Sequence, residues 1–200
     1  MHPAIPQLRR MKLRLPFPIL VALALCFGFA GCDKQGTKTT AIAPKASTNA
    51  APPPPPTPPT HLPTAQPRLP VMKLQVGNQV VTAELARKPV ELATGMMFRK
   101  EMREDDGMLF ALPFPQQASF YMRNTLVPLT IAYVDPAGRI LELHDLNPLD
   151  ETPVYSRAAN IFYVLEMNQG WFARHGVVPG TTIVSEKGRL EQTVKFEPAP

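Results

Sequence analysis

Four polar side chains near the middle of the chain have the chemistry of a small-ligand site: Arg99, Tyr121, Arg123 and Asn124. A guanidinium can hold a carboxylate or a phosphate through two hydrogen bonds, an amide both donates and accepts, and an aromatic face can stack on a sugar. If they converge, these groups predict a site for a small polar or anionic ligand. A structural interpretation stays open, in which Arg99 pairs with an acid among residues 101–106 and Asn124 caps a turn. Tyr121 would then pack in the core.

Glu166 is the one charged residue in the apolar run 161–167. If its side chain faces inward, the carboxyl must be paired or have a raised pKa, because burial disfavours the charged form. Paired with Arg99 or Arg123, it would be structural. Unpaired, it is the best candidate for a general acid or base, although only a weak candidate for a catalytic residue.

Nucleophilic and two-carboxylate chemistry find little support in the spacing of the remaining residues. None of the serines stands in a Gly-x-Ser-x-Gly motif, and the groups available for a triad are Ser119, Ser156, Ser185, His144 and His175. Paired carboxylates could cleave a glycosidic bond, but the acidic residues cluster in predicted turns, where solvated charge explains them. These are Glu104, Asp105, Asp106, Asp145, Asp150 and Glu151.

Metal chemistry is also weakly supported. His144, Asp145 and Asp150 could ligate zinc or manganese, but no second histidine stands near them. Thioethers could hold copper, yet methionine in strands and helices usually fills gaps in a core. The methionines concerned are Met96, Met97, Met102, Met108, Met122 and Met167. The sequence therefore predicts no metal site and no cofactor.

The elements that must position these groups are short strands. Apolar and polar residues alternate over 72–76, and Gly77-Asn78 predicts a two-residue hairpin turn into a second strand over 79–85. Short apolar runs separated by turn residues continue to the end of the chain, as is typical of all-β domains. They predict strands over 108–112, 119–122, 129–135, 139–146, 161–167, 181–185 and 190–196.

Two short helices interrupt the strands. One is predicted to begin near Pro89, since proline suits the first helical turn, and the other to follow Asn168 as N-cap and to end at Gly176. The pattern as a whole predicts a mainly β fold, a single small barrel-like or jelly-roll-like domain over residues 71–200.

Residues 1–31 have the pattern of a secretory signal peptide, with basic residues before the apolar stretch 19–30. The sequence Phe29-Ala30-Gly31 directly before Cys32 resembles the lipobox of bacterial lipoproteins, in which the cysteine is acylated and becomes the first mature residue. No cysteine follows Cys32, so the mature domain holds neither an internal disulfide nor a cysteine nucleophile.

Residues 32–70 are predicted to be the lipid-anchor cysteine followed by a disordered, proline-rich tether, because they contain few large apolar side chains. A proline-rich ligand for a partner domain is the alternative. The positive charge of the chain lies mostly before residue 71. From Val71 onward, thirteen basic and fifteen acidic residues give a net charge of −2, which does not favour a nucleic-acid partner.

Five short blocks resemble the domain-of-unknown-function family 192, in order and with similar spacing. They are Gly95-Met96-Met97-Phe98-Arg99, Gly107-Met108-Leu109-Phe110, Phe120-Tyr121-Met122-Arg123-Asn124-Thr125, Pro128-Leu129 and Leu165-Glu166-Met167-Asn168-Gln169-Gly170. The resemblance covers roughly residues 72–184 and implies a small, mainly β domain, often exported, without an established activity. The chain departs from the family at Thr130, where an aspartate is usual, and at Thr181, where an aspartate is frequent.

Together these features predict an exported lipoprotein that faces the periplasm or the cell exterior, anchored to membrane lipid through Cys32. The domain is expected to be non-catalytic and to bind a small polar or anionic ligand or an envelope protein. Two alternatives stay open: a cell-envelope hydrolase acting on glycan or peptide bonds through Glu166, and a purely structural module.

Overall fold

A computed structural model of the protein describes residues 60–199. The predicted signal peptide, Cys32 and the tether up to residue 59 lie outside the described residues. Ten strands and three short helices follow one another along the described chain. The strands are β1 (Val71–Val76), β2 (Gln79–Ala86), β3 (Asp106–Gln116), β4 (Ser119–Phe120), β5 (Leu129–Val134), β6 (Ile140–Leu146), β7 (Val154–Tyr155), β8 (Ile161–Asn168), β9 (Ile183–Ser185) and β10 (Gly188–Arg189). The helices are α1 (Pro89–Thr94), α2 (Trp171–Arg174) and α3 (Leu190–Thr193).

Eight strands form one sheet in the order β10-β9-β1-β2-β3-β8-β5-β6, and β4 pairs with β7 in a separate ribbon. Neighbouring strands are antiparallel except β2 and β3, which are parallel and are joined by a crossover that contains α1. The prediction of a mainly β domain is confirmed. The sheet is not closed into a barrel. An isolated antiparallel bridge pairs Arg139, directly before β6, with Thr182, directly before β9.

The first hairpin follows the sequence pattern. Val76 pairs with Gln79 across the predicted turn, and Gly77 adopts a φ of 59°, which a two-residue hairpin turn favours at its first central position. Met72, Leu74 and Val76 are buried while the residues between them are exposed. The alternation therefore places one face of β1 against the core.

Two hydrophobic clusters cover the two faces of the sheet. One includes Leu74, Tyr163, Leu165 and Trp171. The other includes Met108, Phe110, Ile131, Tyr133 and Val164. Glu166 stands two residues after Val164 on β8, so the alternation of a strand points its side chain to the second cluster, and its register partners are Met108 and Ile131.

Three local predictions are corrected by the structure. The strand predicted over 190–196 is replaced by α3 and an extended end, because the side chain of Leu190 packs into the hydrophobic cluster of Leu74 and Trp171 instead of continuing the edge of the sheet. The N-cap of α2 is Gly170, since Asn168 still belongs to β8. The chain also packs on the domain before residue 71: Gln66 is buried and hydrogen-bonded to the backbone of Gly95. No helix in the described part of the chain is both long enough and apolar enough to cross a membrane.

Candidate functional site

Arg99 lies in the loop after α1, and its two terminal nitrogens are paired within the protein, whereas its buried Nε has no hydrogen-bond partner among the described residues. Its two terminal nitrogens donate hydrogen bonds of 2.7 and 2.8 Å to the two carboxylate oxygens of Glu84 on β2. The backbone N–H of Leu69 also donates to Glu84, at 2.8 Å. Both side chains are largely buried. The partner is therefore Glu84 and not an acid among residues 101–106.

An open, strongly charged cleft of about 430 Å³ lies beside this ion pair. Its walls carry Arg68, Glu101, Arg103 and Asp106 in addition to the pair itself. Three basic and three acidic residues line it, and the nearest approach of Arg68 to Asp106 is 4.0 Å. The cleft has no excess of cations that would select an anionic ligand.

Arg123 and Tyr121 follow β4 at the surface. Arg123 donates hydrogen bonds of 3.0 and 2.8 Å to Glu151, and its guanidinium carbon lies 5.7 Å from the centroid of the Tyr121 ring. Both members of the ion pair are about half exposed, so solvent screens it. Arg123 therefore supports one face of Tyr121.

Asn124 joins two loops through its backbone. Its carbonyl accepts a hydrogen bond of 2.7 Å from the N–H of Phe98. Both residues are left-handed, with φ values of 54° for Asn124 and 63° for Phe98. Asparagine tolerates this conformation, but for a bulky residue such as phenylalanine it is a strained one, of the kind that clusters at functional sites.

A second pocket, of about 110 Å³, lies beside these two loops, and Glu166 is one of its lining residues. The wall is formed by the end of α1 with the turn after it, by the β4 region and by β8. Its lining residues are Leu92, Ala93, Thr94, Gly95, Met96, Met97, Ser119, Phe120, Tyr121, Thr125 and Glu166. Of the sequence-predicted site residues, the structure thus brings Tyr121 and Glu166 to one pocket, while Arg99 lines the neighbouring cleft and Met96 contributes to both.

The carboxyl of Glu166 is the feature that distinguishes this pocket. The residue is only 6% exposed, and its Oε2 atom is buried without a hydrogen-bond partner among the described residues. Burial raises the pKa of Glu166 from 4.5 to about 8. At neutral pH the group is therefore a carboxylic acid, which can donate one hydrogen bond and accept another.

The wall opposite the strands depends on a glycine and on a glutamine before β1. Gly95 has a φ of 49°, and a Cβ there would come within 3.2 Å of the Phe110 ring. The side chain of Gln66 donates to the carbonyl of Gly95 at 2.8 Å and to that of Glu91 at 3.3 Å. Sequence reasoning missed Gln66, because it stands among prolines in a segment with the composition of a tether.

The remaining candidate groups serve local structure. Glu142 accepts hydrogen bonds from the backbone of Arg157 and Ala158 and lies 3.1 Å from His144. Although burial opposes its ionisation, these hydrogen bonds lower the pKa of Glu142 to about 2. Within residues 60–199 no three histidine, cysteine or acidic side chains are grouped to hold a metal ion.

Two of the three serines considered for a triad have structural partners, whereas Ser119 is exposed and lines the pocket of Glu166. Ser156 binds the backbone of Ala118 and Ala158, and Ser185 binds that of Gly188. In the described part of the chain, no hydrogen bond joins a serine to a histidine.

Comparison with protein-family models identifies the family of the chain. The model for DUF192, described as "Uncharacterized ACR", matches residues 72–185, which is more than half of the chain. The protein belongs to the DUF192 family. The match confirms the resemblance found in the sequence, and it begins after Gln66.

Solved structures similar to this DUF192 protein share its fold. A protein of unknown function from Novosphingobium aromaticivorans DSM 12444 is 37% identical with a TM-score of 0.55, over 57% of this chain and 85% of that one. A structure named "putative transcription regulator" from Sinorhizobium meliloti 1021 is 29% identical with a TM-score of 0.58, over 60% of this chain and 97% of that one. Comparison with curated proteins gives no match.

The two departures from the DUF192 pattern lie outside the Glu166 pocket. The hydroxyl of Thr130 donates to Asp145 and accepts from the N–H of Gly170 at 2.8 Å, so it fixes the start of α2. The hydroxyl of Thr181 accepts from the N–H of Val178 at 3.3 Å, within a turn. Neither threonine lines the pocket of Glu166.

Proposed function

We propose that the protein is a lipid-anchored domain of the cell envelope that binds a small polar ligand and performs no catalysis. The observation that carries the binding function is the buried carboxyl of Glu166, whose Oε2 has no partner among the described residues, beside a pocket that Tyr121 also lines. An unsatisfied buried polar group costs about 1 to 3 kcal/mol of stability, and a ligand that satisfies it recovers part of that cost. Proteins commonly retain such local destabilisation where a site serves binding.

The geometry favours Tyr121 and Glu166 over Arg99 as the ligand-binding groups. Both terminal nitrogens of Arg99 are already hydrogen-bonded to Glu84, and the Nε, which has no partner among the described residues, is shielded from solvent. Tyr121 is 40% exposed, which leaves much of its side chain free to contact a ligand at the mouth of the pocket. Arg123 and Asn124 act here as supports of Tyr121 and of the loop.

A screen of small polar compounds by thermal shift tests the binding function. Compounds that raise the melting temperature of the wild type should fail to raise that of Glu166→Met, which removes the carboxyl at similar volume. The matched control is Glu186→Gln in an exposed turn, which should keep the response. Hits that shift the wild type and Glu166→Met equally would show that binding occurs elsewhere.

The lipid anchor is supported by the lipobox-like residues before Cys32 and by the apolar stretch 19–30. Several acyl chains on one cysteine anchor a protein stably, whereas a single chain is marginal. Cells grown with a labelled fatty acid should incorporate the label into the wild type and not into Cys32→Ser. A protein that stays in the cytosol, unlabelled and with its leader uncut, would contradict the anchor.

A second candidate function is an envelope hydrolase that uses Glu166 as its general acid or base. The raised pKa of a buried carboxyl favours it, since catalytic acids are tuned in this way. Against it, Glu166 is the only carboxyl that lines the pocket among the described residues, whereas glycoside cleavage generally uses two. Release of products from cell-wall fragments by the wild type but not by Glu166→Gln would favour the hydrolase over the binding domain.

A nucleic-acid partner is not proposed. The name of the Sinorhizobium meliloti neighbour refers to transcription, and it describes that protein. In this chain the residues from Val71 onward carry a net charge of −2, which does not favour binding to a phosphate backbone.

A further inference from the structure

We infer that the pocket of Glu166 takes a ligand whose buried end is a neutral group with a hydrogen-bond acceptor beside a donor, as in a primary carboxamide, a urea or a lactam. This inference rests on the proposed binding function and adds the chemical class of the ligand. Three properties of the pocket carry it: the pairing of the carboxyl, the charges around it and the available volume.

The first property is the missing partner of the carboxyl. Oε2 of Glu166 is shielded from solvent and has no hydrogen-bond partner among residues 60–199. A protonated carboxyl carries an O–H donor and a C=O acceptor side by side. An amide presents the complementary pair, so its carbonyl accepts from the O–H while its N–H donates to the C=O. Both oxygens of the carboxyl are then satisfied by one group once the Glu166 side chain turns its shielded Oε2 towards the pocket.

The second property is the absence of a counter-charge. None of the lining residues within the described chain is a lysine, an arginine or a histidine. The neighbours of Glu166 across the sheet are Met108 on β3 and Ile131 on β5, both uncharged. Ionised Glu166 would therefore be a buried charge without a partner, which burial strongly disfavours.

The charged and titratable groups near the pocket do not change this. On β5, Tyr133 has a pKa raised above its ordinary value, firstly by burial and then by Glu142 and Glu166, so it stays neutral. Glu142 on β6 is held by the backbone of Arg157 and Ala158. On the side of the β4 region, Arg123 lies over the Tyr121 ring and is paired with Glu151.

The protonated Glu166 and the uncharged neighbours distinguish cationic, anionic and neutral ligands. An ammonium group needs ionised Glu166 as its partner, so it would have to displace the proton of a buried acid first. A carboxylate could accept the O–H, but among the described residues no cation lines the pocket to offset the burial of its charge. A neutral amide requires neither removal of the Glu166 proton nor burial of a charge.

The third property is volume. The pocket measures about 110 Å³, far less than the roughly 300 to 1,000 Å³ of sites that enclose a whole drug-sized ligand. It has room for one functional group on a short apolar stem, which Met96 and Met97 would contact. The rest of a larger ligand would lie outside, at Tyr121.

The test uses the full-length protein in detergent micelles with methyl-labelled methionine. Propionamide, propylammonium and propionate, which are similar in size and differ in charge, are titrated at about pH 6 while the methyl signals are followed. Propionamide should shift the signals of Met96 and Met97 and leave that of Met72, which belongs to the first core, unchanged. Its affinity should fall about 100-fold by about pH 10, where ionised Glu166 is no longer a donor.

Two variants complete the test. Glu166→Met should abolish the response to propionamide, and the exposed Glu186→Gln should retain it. The Met72 signal reports that the domain is still folded in each sample. A response of Met96 and Met97 to propylammonium or propionate in place of propionamide would overturn the amide class and leave the binding function intact. No response to any of the three probes, together with no Glu166-dependent hit in the thermal-shift screen, would overturn both.

Discussion

Arg99 and Glu84 form an ion pair in which both terminal nitrogens of the guanidinium bind both oxygens of the carboxylate, at 2.7 and 2.8 Å. Glu84 in turn accepts a hydrogen bond from the backbone of Leu69. The pair therefore connects the loop after α1 with β2 and with the segment that precedes β1. The sequence left Arg99 open as a ligand-binding or a structural residue, and this geometry favours the structural role.

Replacing Arg99 should therefore reduce stability. Arg99→Ala leaves the carboxylate of Glu84 largely buried with only one donor, and loss of one partner of a buried pair costs about 3 to 5 kcal/mol. Because 18% of the Arg99 side chain is exposed, we expect a smaller loss, about 1 to 3 kcal/mol. Urea denaturation measures it, and Arg123→Ala, which removes an exposed pair, should leave stability nearly unchanged. Equal, small effects of both substitutions would remove the structural role.

Replacing Glu166 should have the opposite effect. Glu166→Met keeps the side-chain volume and removes a buried polar group that has no partner among residues 60–199, so the free energy of unfolding should rise by about 1 to 3 kcal/mol. Glu166→Gln, which keeps two polar atoms in the same place, should give little of this gain. A clear loss of stability in Glu166→Met would mean that the carboxyl has a partner in the folded protein.

Stability should also depend on pH through Glu166. Its pKa is about 8 in the folded protein, against an ordinary value of 4.5. As pH rises between these values, the unfolded chain releases the proton while the folded chain keeps it, so the free energy of unfolding falls. Above about pH 8 the loss is complete. Compared with Glu166→Gln, the wild type should therefore lose a few kcal/mol between about pH 5 and 9. A constant difference between the two proteins would contradict the raised pKa.

Glu142 should produce the reverse slope at acid pH. Its pKa is lowered from 4.5 to about 2, so its contribution is fully present above 4.5 and disappears as pH falls towards 2. Glu142→Gln should flatten the stability profile in that range only. The two glutamates thus act in separate pH windows and can be measured in one set of denaturation curves.

Gln66 should be needed for the shape of the pocket. Its side chain holds the carbonyls of Glu91 and Gly95, and the N–H of Leu62 donates to Thr94 at 3.0 Å. In Gln66→Ala the carbonyl of Gly95 loses its donor, while that of Glu91 keeps the N–H of Gly95. We therefore expect a loss of about 1 to 2 kcal/mol and weaker binding of any Glu166-dependent ligand. Gln117→Ala, at an exposed site, is the control for stability. Unchanged binding in Gln66→Ala would show that the segment before β1 does not position the pocket.

The sequence predicted the regular parts of this fold because their signals are local. The alternation over 72–76 and the turn Gly77-Asn78 specify a hairpin without reference to the rest of the chain, and an acid in the run 161–167 marks Glu166 as unusual. The partner of Arg99 could not be read in the same way, since Glu84 is brought to it by the crossover between β2 and β3. Residues 190–196 have the apolar pattern of a strand, yet Leu190 packs into the core and begins α3.

The most direct measurement is the titration of Glu166 itself, followed through the carbon-13 signal of its side-chain carboxyl in the folded protein. We expect a midpoint of about 8, and a Glu166-dependent ligand with a neutral amide should move that midpoint higher, because it binds the protonated form. A midpoint near the ordinary value of 4.5 would show that the carboxyl is ionised at neutral pH and would contradict the binding site proposed here.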